Sequence, residues 1–134
     1  MHVLAVVVGM FLSAAVAQPA VKAATAFVVT DGASPTTATA LVTVENGTMY
    51  DVYLVGAAAD VADVVEIRQK PQGSEAAAAV KEVPVPAFGQ LDMSADGVHL
   101  ALIKLKRPLK AGESIPLSLV MDSGVTLTVQ AVVK

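Results

Sequence analysis

The sequence predicts an all-β domain, an antiparallel β-sandwich of about seven to nine short strands. Short runs that alternate apolar and polar residues recur along the chain. Turn residues such as Asn-Gly, Asp-Gly and Ser-Gly separate these runs, at the spacing typical of sandwiches, about every 8–12 residues. No connection is long enough for the crossover helix that a parallel pair needs, so antiparallel pairing is expected.

The predicted strands show the two-residue period of a sheet. Residues 37–46, TATALVTVEN, place Val42 and Val44 on one face and threonines on the other. The other predicted strands are 51–56, 64–69, 83–86, 88–93, 98–105, 114–121 and 125–133. The four alanines at 76–79 could form one helical turn, but they are too few for an independent helix. The side chains expected between the two sheets are Val42, Val44, Leu117, Leu119, Leu127 and Val129.

Composition excludes several function classes. With 54 % hydrophobic residues and a net charge of −3, the 134-residue chain is typical of one folded domain. Nine lysines and arginines against twelve acidic residues leave no basic excess for binding nucleic acid. The sequence has no cysteine, and therefore no disulfide, thiolate zinc site or lipid-bearing thiol. No triad motif or glycine-rich phosphate loop occurs, and we expect a protein that is not an enzyme.

The N-terminal segment is expected to be a signal peptide. Residues 3–16 form an almost unbroken apolar run, shorter than the ~20 residues that span a bilayer. The run ends in Ala15-Val16-Ala17, the small-x-small pattern that signal peptidase recognises. Cleavage would separate residues 1–17 from a single domain of residues 18–134, periplasmic or extracellular and without stable membrane insertion. A retained anchor, or a buried N-terminal strand or helix, is the alternative.

Several stretches from residue 37 onward occur in an order that carries a resemblance. They are VEN at 44–46, DVYLVGA at 51–57, VEIR at 65–68, VPAFGQ at 85–90, DGVHLALI at 96–103, LKRPLKAGE at 105–113 and VTLTVQAVV at 125–133. In this order the chain resembles the periplasmic copper chaperone family PCu(A)C, where matching stretches read Val-Glu-Leu-His, Val-Pro-Ala-Gly-Gly, Gly-Gly-x-His-Ile-Met-Leu and Leu-Lys-x-Pro-Leu-x-x-Gly-Asp/Glu. The resemblance covers nearly all of residues 18–134 and implies a cupredoxin-like Greek-key sandwich.

The resemblance also implies a Cu(I) site of two histidines and two methionines. They are a histidine at the end of one strand, a methionine in the next loop, and a His-x-Met pair. Soft Cu(I) favours imidazole and thioether ligands. Only His99 remains in this chain, because Arg68 stands at the first histidine and Ala101 at the methionine of the pair. The loop methionine has no counterpart in residues 74–80, SEAAAAV.

His99 therefore has two interpretations. It anchors a copper site completed by a substitute thioether, for which Met93 and Met49 are the candidates. Alternatively, it is a strand residue held by a hydrogen bond beside a turn. The second is favoured, because one imidazole does not close a metal site. Met121 is assigned to the core by its alternation with the neighbouring leucines.

Arg68, a cation at every relevant pH, cannot be a metal ligand. It is expected to pair with Glu66 or Asp92 at the surface, a contact worth less than ~1 kcal/mol.

Two functions follow from these observations. The first is that of an exported Cu(I) carrier of the PCu(A)C type, as the resemblance implies, which delivers copper to an accepting protein such as a subunit of cytochrome c oxidase; the lost ligands argue against efficient transfer. The second is a metal-free module that binds a protein partner or serves as a structural unit. Such a module would use an exposed sheet face or edge, and residues 114–121 are the candidate edge because Pro116 cannot donate to a ladder. The oligomeric state is left open.

Overall fold

The described part of the protein is built entirely of strands. The computed structural model describes residues 21–30, 36–70 and 77–134, so the expected signal peptide lies outside the described residues. Within these ranges no helix forms, and therefore none that could cross a bilayer. The strands are β1 (Val21–Thr30), β2 (Thr37–Asn46), β3 (Val52–Ala59), β4 (Ala62–Gln69), β5 (Ala78–Ala79), β6 (Val83–Val85), β7 (Gln90–Asp92), β8 (Val98–Leu105), β9 (Ser114–Met121) and β10 (Thr126–Val133).

The strands form one curled sheet that folds over itself. Its order is β5-β4-β8-β2-β1-β10-β9-β3-β6, and β7 continues the pairing of β2 beyond β8. The all-β prediction is confirmed, but the described residues alone form ten strands rather than seven to nine. The additional strands are short, because β5, β6 and β7 have only two or three residues each.

Strand β1 joins the two halves of the curl and was not predicted. It pairs antiparallel with β2 along its whole length and parallel with β10 at Phe27 and Val28. A register shift between Ala23 and Thr25 interrupts its alternation. That irregularity hides the two-residue period on which sequence recognition of a strand depends. The parallel pair is the exception to the predicted antiparallel pairing.

Alternation elsewhere predicted the core correctly. Val42 and Val44 of β2 and Leu117 and Leu119 of β9 are buried between the two halves of the curl. Leu127 and Val129 are partly buried and pack against the same core, and Met121 is fully buried in it. A one-residue slip would have exchanged the two faces, so the predicted register is the observed one.

Pro116 predicts that residues 114–121 form an edge or are bulged at the proline, and neither is observed. Strand β9 lies between β10 and β3, and its pairing with β3 covers Leu117 to Met121. Pro116 falls just beyond that stretch, opposite Gln130 of β10 only. No β3 residue lies opposite Pro116, so no β3 carbonyl is left without a donor by the missing proline N–H. An interior strand therefore tolerates a proline at this end.

The helical turn considered for residues 76–79 is wrong where the structure describes that segment. Ala78 and Ala79 form β5, paired with Gln69 and Arg68 at the end of β4. The Val80 N–H also donates to the Ile67 carbonyl at 2.9 Å. Pairing with an existing strand satisfies backbone groups that four alanines could not satisfy as an isolated turn.

Asn46, at the end of β2, is a buried polar residue with a full set of partners. It is 2 % exposed, and its Nδ2 donates to the Tyr50 carbonyl at 2.7 Å and the Val85 carbonyl at 3.0 Å. Its Oδ1 accepts from the backbone N–H and the hydroxyl of Thr48, at 2.9 and 2.6 Å. One side chain thus holds the turn after β2 against β6.

We expect Asn46→Ala to lower the free energy of unfolding by about 2–3 kcal/mol, because the buried Val85 carbonyl loses its side-chain donor and the turn loosens. Urea denaturation measures the change. Thr128→Ala, at an exposed position, is the control and should change stability by less than about 0.5 kcal/mol. A similar small effect of Asn46→Ala would show that the network adds nothing to stability.

Candidate metal site

Strands β4 and β8 bring Arg68, His99 and Ala101, the positions matched by the resemblance, onto one surface, and β5 places Ala79 beside them. Arg68 of β4 lies opposite His99 of β8 on one side and opposite Ala79 of β5 on the other. Residues opposite each other in antiparallel strands share a face, so these three form a row across the sheet. Ala101, two residues after His99, lies on the same face and opposite Glu66. Leu100 and Leu102 are fully buried, which places this row on the outer face.

His99 is held with one ring nitrogen engaged. It is 9 % exposed, and its Nδ1 lies 3.1 Å from the Gly97 carbonyl oxygen. A carbonyl only accepts, so this contact assigns the proton to Nδ1 and leaves the lone pair of a neutral ring on Nε2. The bond beside the turn matches the structural interpretation of His99. The same bond also orients an imidazole in the way that metal-bound histidines are oriented.

Arg68 pairs with Glu66, two residues earlier on the same face of β4. Its Nε and Nη2 both donate to Glu66 Oε2, at 3.1 and 2.9 Å. Asp92, the other predicted partner, instead accepts from the side chain of Gln90. Both side chains of the pair are 36 % exposed, so the contact adds at most ~1 kcal/mol to stability. Its relevance is positional, because a permanent cation lies one cross-strand step from the imidazole.

An open cavity of about 320 Å³ lies beside Arg68. The short side chain of Ala101 leaves this volume empty on the outer face of β8. Its other walls are Thr37, Ala38, Thr39 and Ile103. A longer side chain at residue 101 therefore has room on the face that carries His99.

The two substitute thioethers do not lie on this face. Met93 is buried in the core, and its backbone N–H donates to Val42, whose side chain also points inward. Met49 is 65 % exposed in the turn after β2. Ala40 pairs with Leu100, which puts Leu41 beside His99 on the neighbouring strand. The five steps from Leu41 to Asn46, at the end of β2 before the Met49 turn, span ~17 Å. Neither methionine belongs to the row of Ala79, Arg68 and His99, and a thioether from either one stays a prediction.

The described ranges contain no cluster of the side chains that commonly hold a metal ion. No group of three or more histidine, cysteine, aspartate or glutamate side chains is arranged there to hold an ion. The row of Ala79, Arg68 and His99 offers one imidazole and, as a cation site, nothing else.

Sequence reasoning missed a second feature, at the end of the sandwich where β2 ends. Tyr50 and two aspartates line a cleft there, and the exposed Phe88 lies in the adjoining loop, its N–H donating to the Thr48 carbonyl. A signal was available, because Phe88 stands where the PCu(A)C stretch has glycine, and the structure gives it a positive φ of 53°.

Comparisons with known proteins agree on one type of domain. The sequence profile of the LpqE-like lipoprotein family matches residues 14–133. A solution structure of Cu(I)-bound DR1885 from Deinococcus radiodurans is 34 % identical, with a TM-score of 0.74 over 88 % of this chain and 81 % of that one. The copper-bound PCuAC domain of PmoF2 and the apo PCuAC domain of PmoF1 are 18 % and 16 % identical, each with a TM-score of 0.73 over 85 % of this chain and 92 % of the other. A search of curated proteins found no match. These neighbours confirm the predicted cupredoxin-like fold.

Proposed function

We propose that this protein handles copper outside the cytoplasm. The premise is that the chain belongs to the LpqE-like family, a family of PCuAC-type copper chaperone domains. A 34 % identical relative is a Cu(I) protein by its title, and the fold is that of a copper-bound PCuAC domain. The proposed work is to carry Cu(I) to a copper-accepting protein such as an oxidase subunit. The role is non-catalytic, since a carrier needs exchangeable ligands and no acid–base or nucleophilic group.

The proposed location rests on the N-terminal sequence and on the family. The apolar run of residues 3–16 ends in a signal-peptidase pattern, and the matching family is named for lipoproteins. These 134 residues contain no cysteine, so a thioether-linked lipid has no attachment point within them. Export with cleavage accounts for both facts.

Protein exported by its native host is expected to begin at Gln18. The expectation follows from the small residues Ala15 and Ala17, which fit the cleavage pocket of signal peptidase. Intact-mass spectrometry of the exported protein measures the N-terminus. Secreted material that still begins at Met1 would contradict it.

The observation that carries the functional proposal is the row of Ala79, Arg68 and His99. Three positions matched by the resemblance, Arg68, His99 and Ala101, share one outer face, and of these only His99 can donate to Cu(I). The Arg68 guanidinium occupies the neighbouring position and is itself anchored by Glu66. We therefore infer that this chain binds Cu(I) weakly, through His99 Nε2.

A Cu(I) titration against a competing chelator tests the proposal. The expected result is weak binding that His99→Ala removes, while Met49→Leu and Met93→Leu leave it unchanged. Tight binding that depends on Met49 or Met93 would show that a thioether reaches His99 despite the placement of both methionines.

The second candidate function is a metal-free module that binds a protein. The Arg68–Glu66 pair favours it, because a ligand position filled by an ion-paired guanidinium is closed to a cation. The same titration separates the two functions, since a metal-free module shows no Cu(I) binding that depends on His99.

A further inference from the structure

One end of the sandwich exposes apolar side chains that the fold does not use. The turn after β2 and the loop before β7 meet there, and the Phe88 N–H donates to the Thr48 carbonyl at 3.0 Å. Tyr50 and Phe88 are 71 % and 73 % exposed. We call this region the end surface, and its residues are Met49, Tyr50, Asp51, Phe88, Asp122 and Val125. Exposed apolar patches rimmed by polar groups are typical of interaction sites.

The end surface contains a cleft of about 490 Å³ with an apolar wall and an acidic rim. The apolar wall comes from Val21, Val52 and Val125, together with Tyr50. Asp51 and Asp122 line the same cleft. A ligand that fits this cleft therefore has an apolar group that contacts the wall and a cationic group that reaches the acidic rim.

Both carboxylates lack a cationic partner among the residues that the structure describes. All nine lysines and arginines of the sequence fall in the described residues, and none lies within ion-pair distance of Asp51 or Asp122. Asp51 Oδ1 accepts the Ala87 N–H at 2.9 Å, and Asp122 Oδ1 accepts the Tyr53 N–H at 3.1 Å. These bonds hold the carboxylates in place, and Oδ2 of each is left for a ligand.

Phe88 is kept at this surface against its backbone preference. Its φ of 53° lies in the left-handed region, which is unfavourable for a bulky residue and open to glycine. Its ring gains little burial in return, since most of it is exposed. Strain of this kind concentrates at functional positions, where the side chain serves something other than folding.

We propose that the end surface docks a partner protein through a segment that presents a lysine or arginine next to an aliphatic or aromatic side chain. The apolar side chain enters the cleft beside Tyr50 and Val125, and the cation reaches Asp51 and Asp122. The Phe88 ring covers the segment from the side of the loop. An anionic bilayer is disfavoured as the occupant, because the two aspartates repel it. The docking involves no copper and is independent of the role proposed above.

The test uses peptides, with the protein purified after export and labelled for NMR. Three capped pentapeptides serve as probes: Ser-Leu-Lys-Leu-Ser, its glutamate analogue Ser-Leu-Glu-Leu-Ser, and Ser-Ser-Lys-Ser-Ser. The lysine–leucine peptide is expected to shift the amides of Tyr50, Asp51, Asp122 and Val125 at millimolar concentration. The other two should bind at least about fivefold more weakly, since each lacks one of the two required groups.

Two variants separate docking from folding. The double substitution Asp51→Asn and Asp122→Asn keeps one oxygen acceptor at each position for the backbone N–H and replaces the charged Oδ2 by an amide group. It is expected to weaken the lysine–leucine peptide about tenfold. Phe88→Gly is expected to weaken it several-fold while raising the melting temperature, because glycine relieves the positive φ. Phe27→Ala, at an exposed position on the outer face of β1, is the control and should leave the affinity unchanged.

Several results would overturn the proposal. Equal affinity for the lysine and glutamate peptides, or an unchanged affinity in the double asparagine variant, removes the charge argument. No amide shift at millimolar peptide removes the cleft as a peptide site. Co-sedimentation with phosphatidylcholine vesicles, or self-association in the ultracentrifuge, assigns the surface to a bilayer or to a second copy if Phe88→Gly abolishes it.

Discussion

Replacing Arg68 by histidine and both Ala79 and Ala101 by methionine is expected to tighten Cu(I) binding at least about a hundredfold. A unit charge at ~6 Å, in an effective dielectric of ~20, costs a bound cation about 3 kcal/mol, which alone corresponds to about a hundredfold. Glu66 offsets part of that repulsion, but the three new side chains also supply an imidazole and two thioethers. Ala79 is preferred to Ala77 as the methionine position because it lies directly opposite residue 68.

A scattered variant that gains the same three side chains, and loses one cation as well, is the matched control. Lys81→His, Ala58→Met and Ala95→Met add the same side chains at exposed positions that no pairing brings together. The competition titration should show no gain for this control. If the variant at residues 68, 79 and 101 also gains nothing, the row of Ala79, Arg68 and His99 is not the remnant of a copper site.

Leu119→Ala is expected to lower the free energy of unfolding by about 2–5 kcal/mol. Leu119 is fully buried at the centre of β9, between Leu127 of β10 and Ala57 of β3. Its truncation leaves a cavity that two flanking strands cannot close by moving, because both are held in register by their other neighbours. Chemical denaturation with a shared m-value measures the loss.

Ser118→Ala and Thr128→Ala are the controls for that measurement. Ser118 lies in the same strand, next to Leu119, but its side chain points to the opposite face. Thr128 is its exposed partner on β10. Each should cost less than about 0.5 kcal/mol. Equal losses at Leu119 and Ser118 would mean that the two faces of β9 are exchanged.

The strands that could be predicted from sequence are those whose two faces meet different environments. β2, β8 and β9 have the predicted bounds, since burial of one face requires apolar residues at every second position. β1 lacks that signature because of its register shift, and its partner β10 is remote in sequence. The position of β9 inside the sheet was equally beyond local reasoning, since a proline shows that a donor is missing but not where the neighbouring strand stops.

The candidate site divides in the same way. The resemblance singles out Arg68, His99 and Ala101 as corresponding positions, and their shared face follows from the pairing of β4 with β8. The choice of Glu66 over Asp92 as the partner of Arg68 depends on side-chain geometry that no spacing encodes. That His99 binds Cu(I) stays a prediction. The end surface could not be predicted from local sequence patterns, because it combines a turn, a loop and two aspartates that are distant in sequence.

The parallel pairing of β1 with β10 also sets the order in which the protein can fold. Phe27 and Val132 are cross-strand neighbours, although almost the whole described chain lies between them. Contacts so distant in sequence require the closure of a very long loop, and topologies rich in them fold slowly. On the ribosome, the two halves of the curl cannot be joined until the last strand has been synthesised. The parallel contact of β1 with β10 therefore forms only after synthesis of the last strand, and a sheet that is still open until then is compatible with the export proposed above.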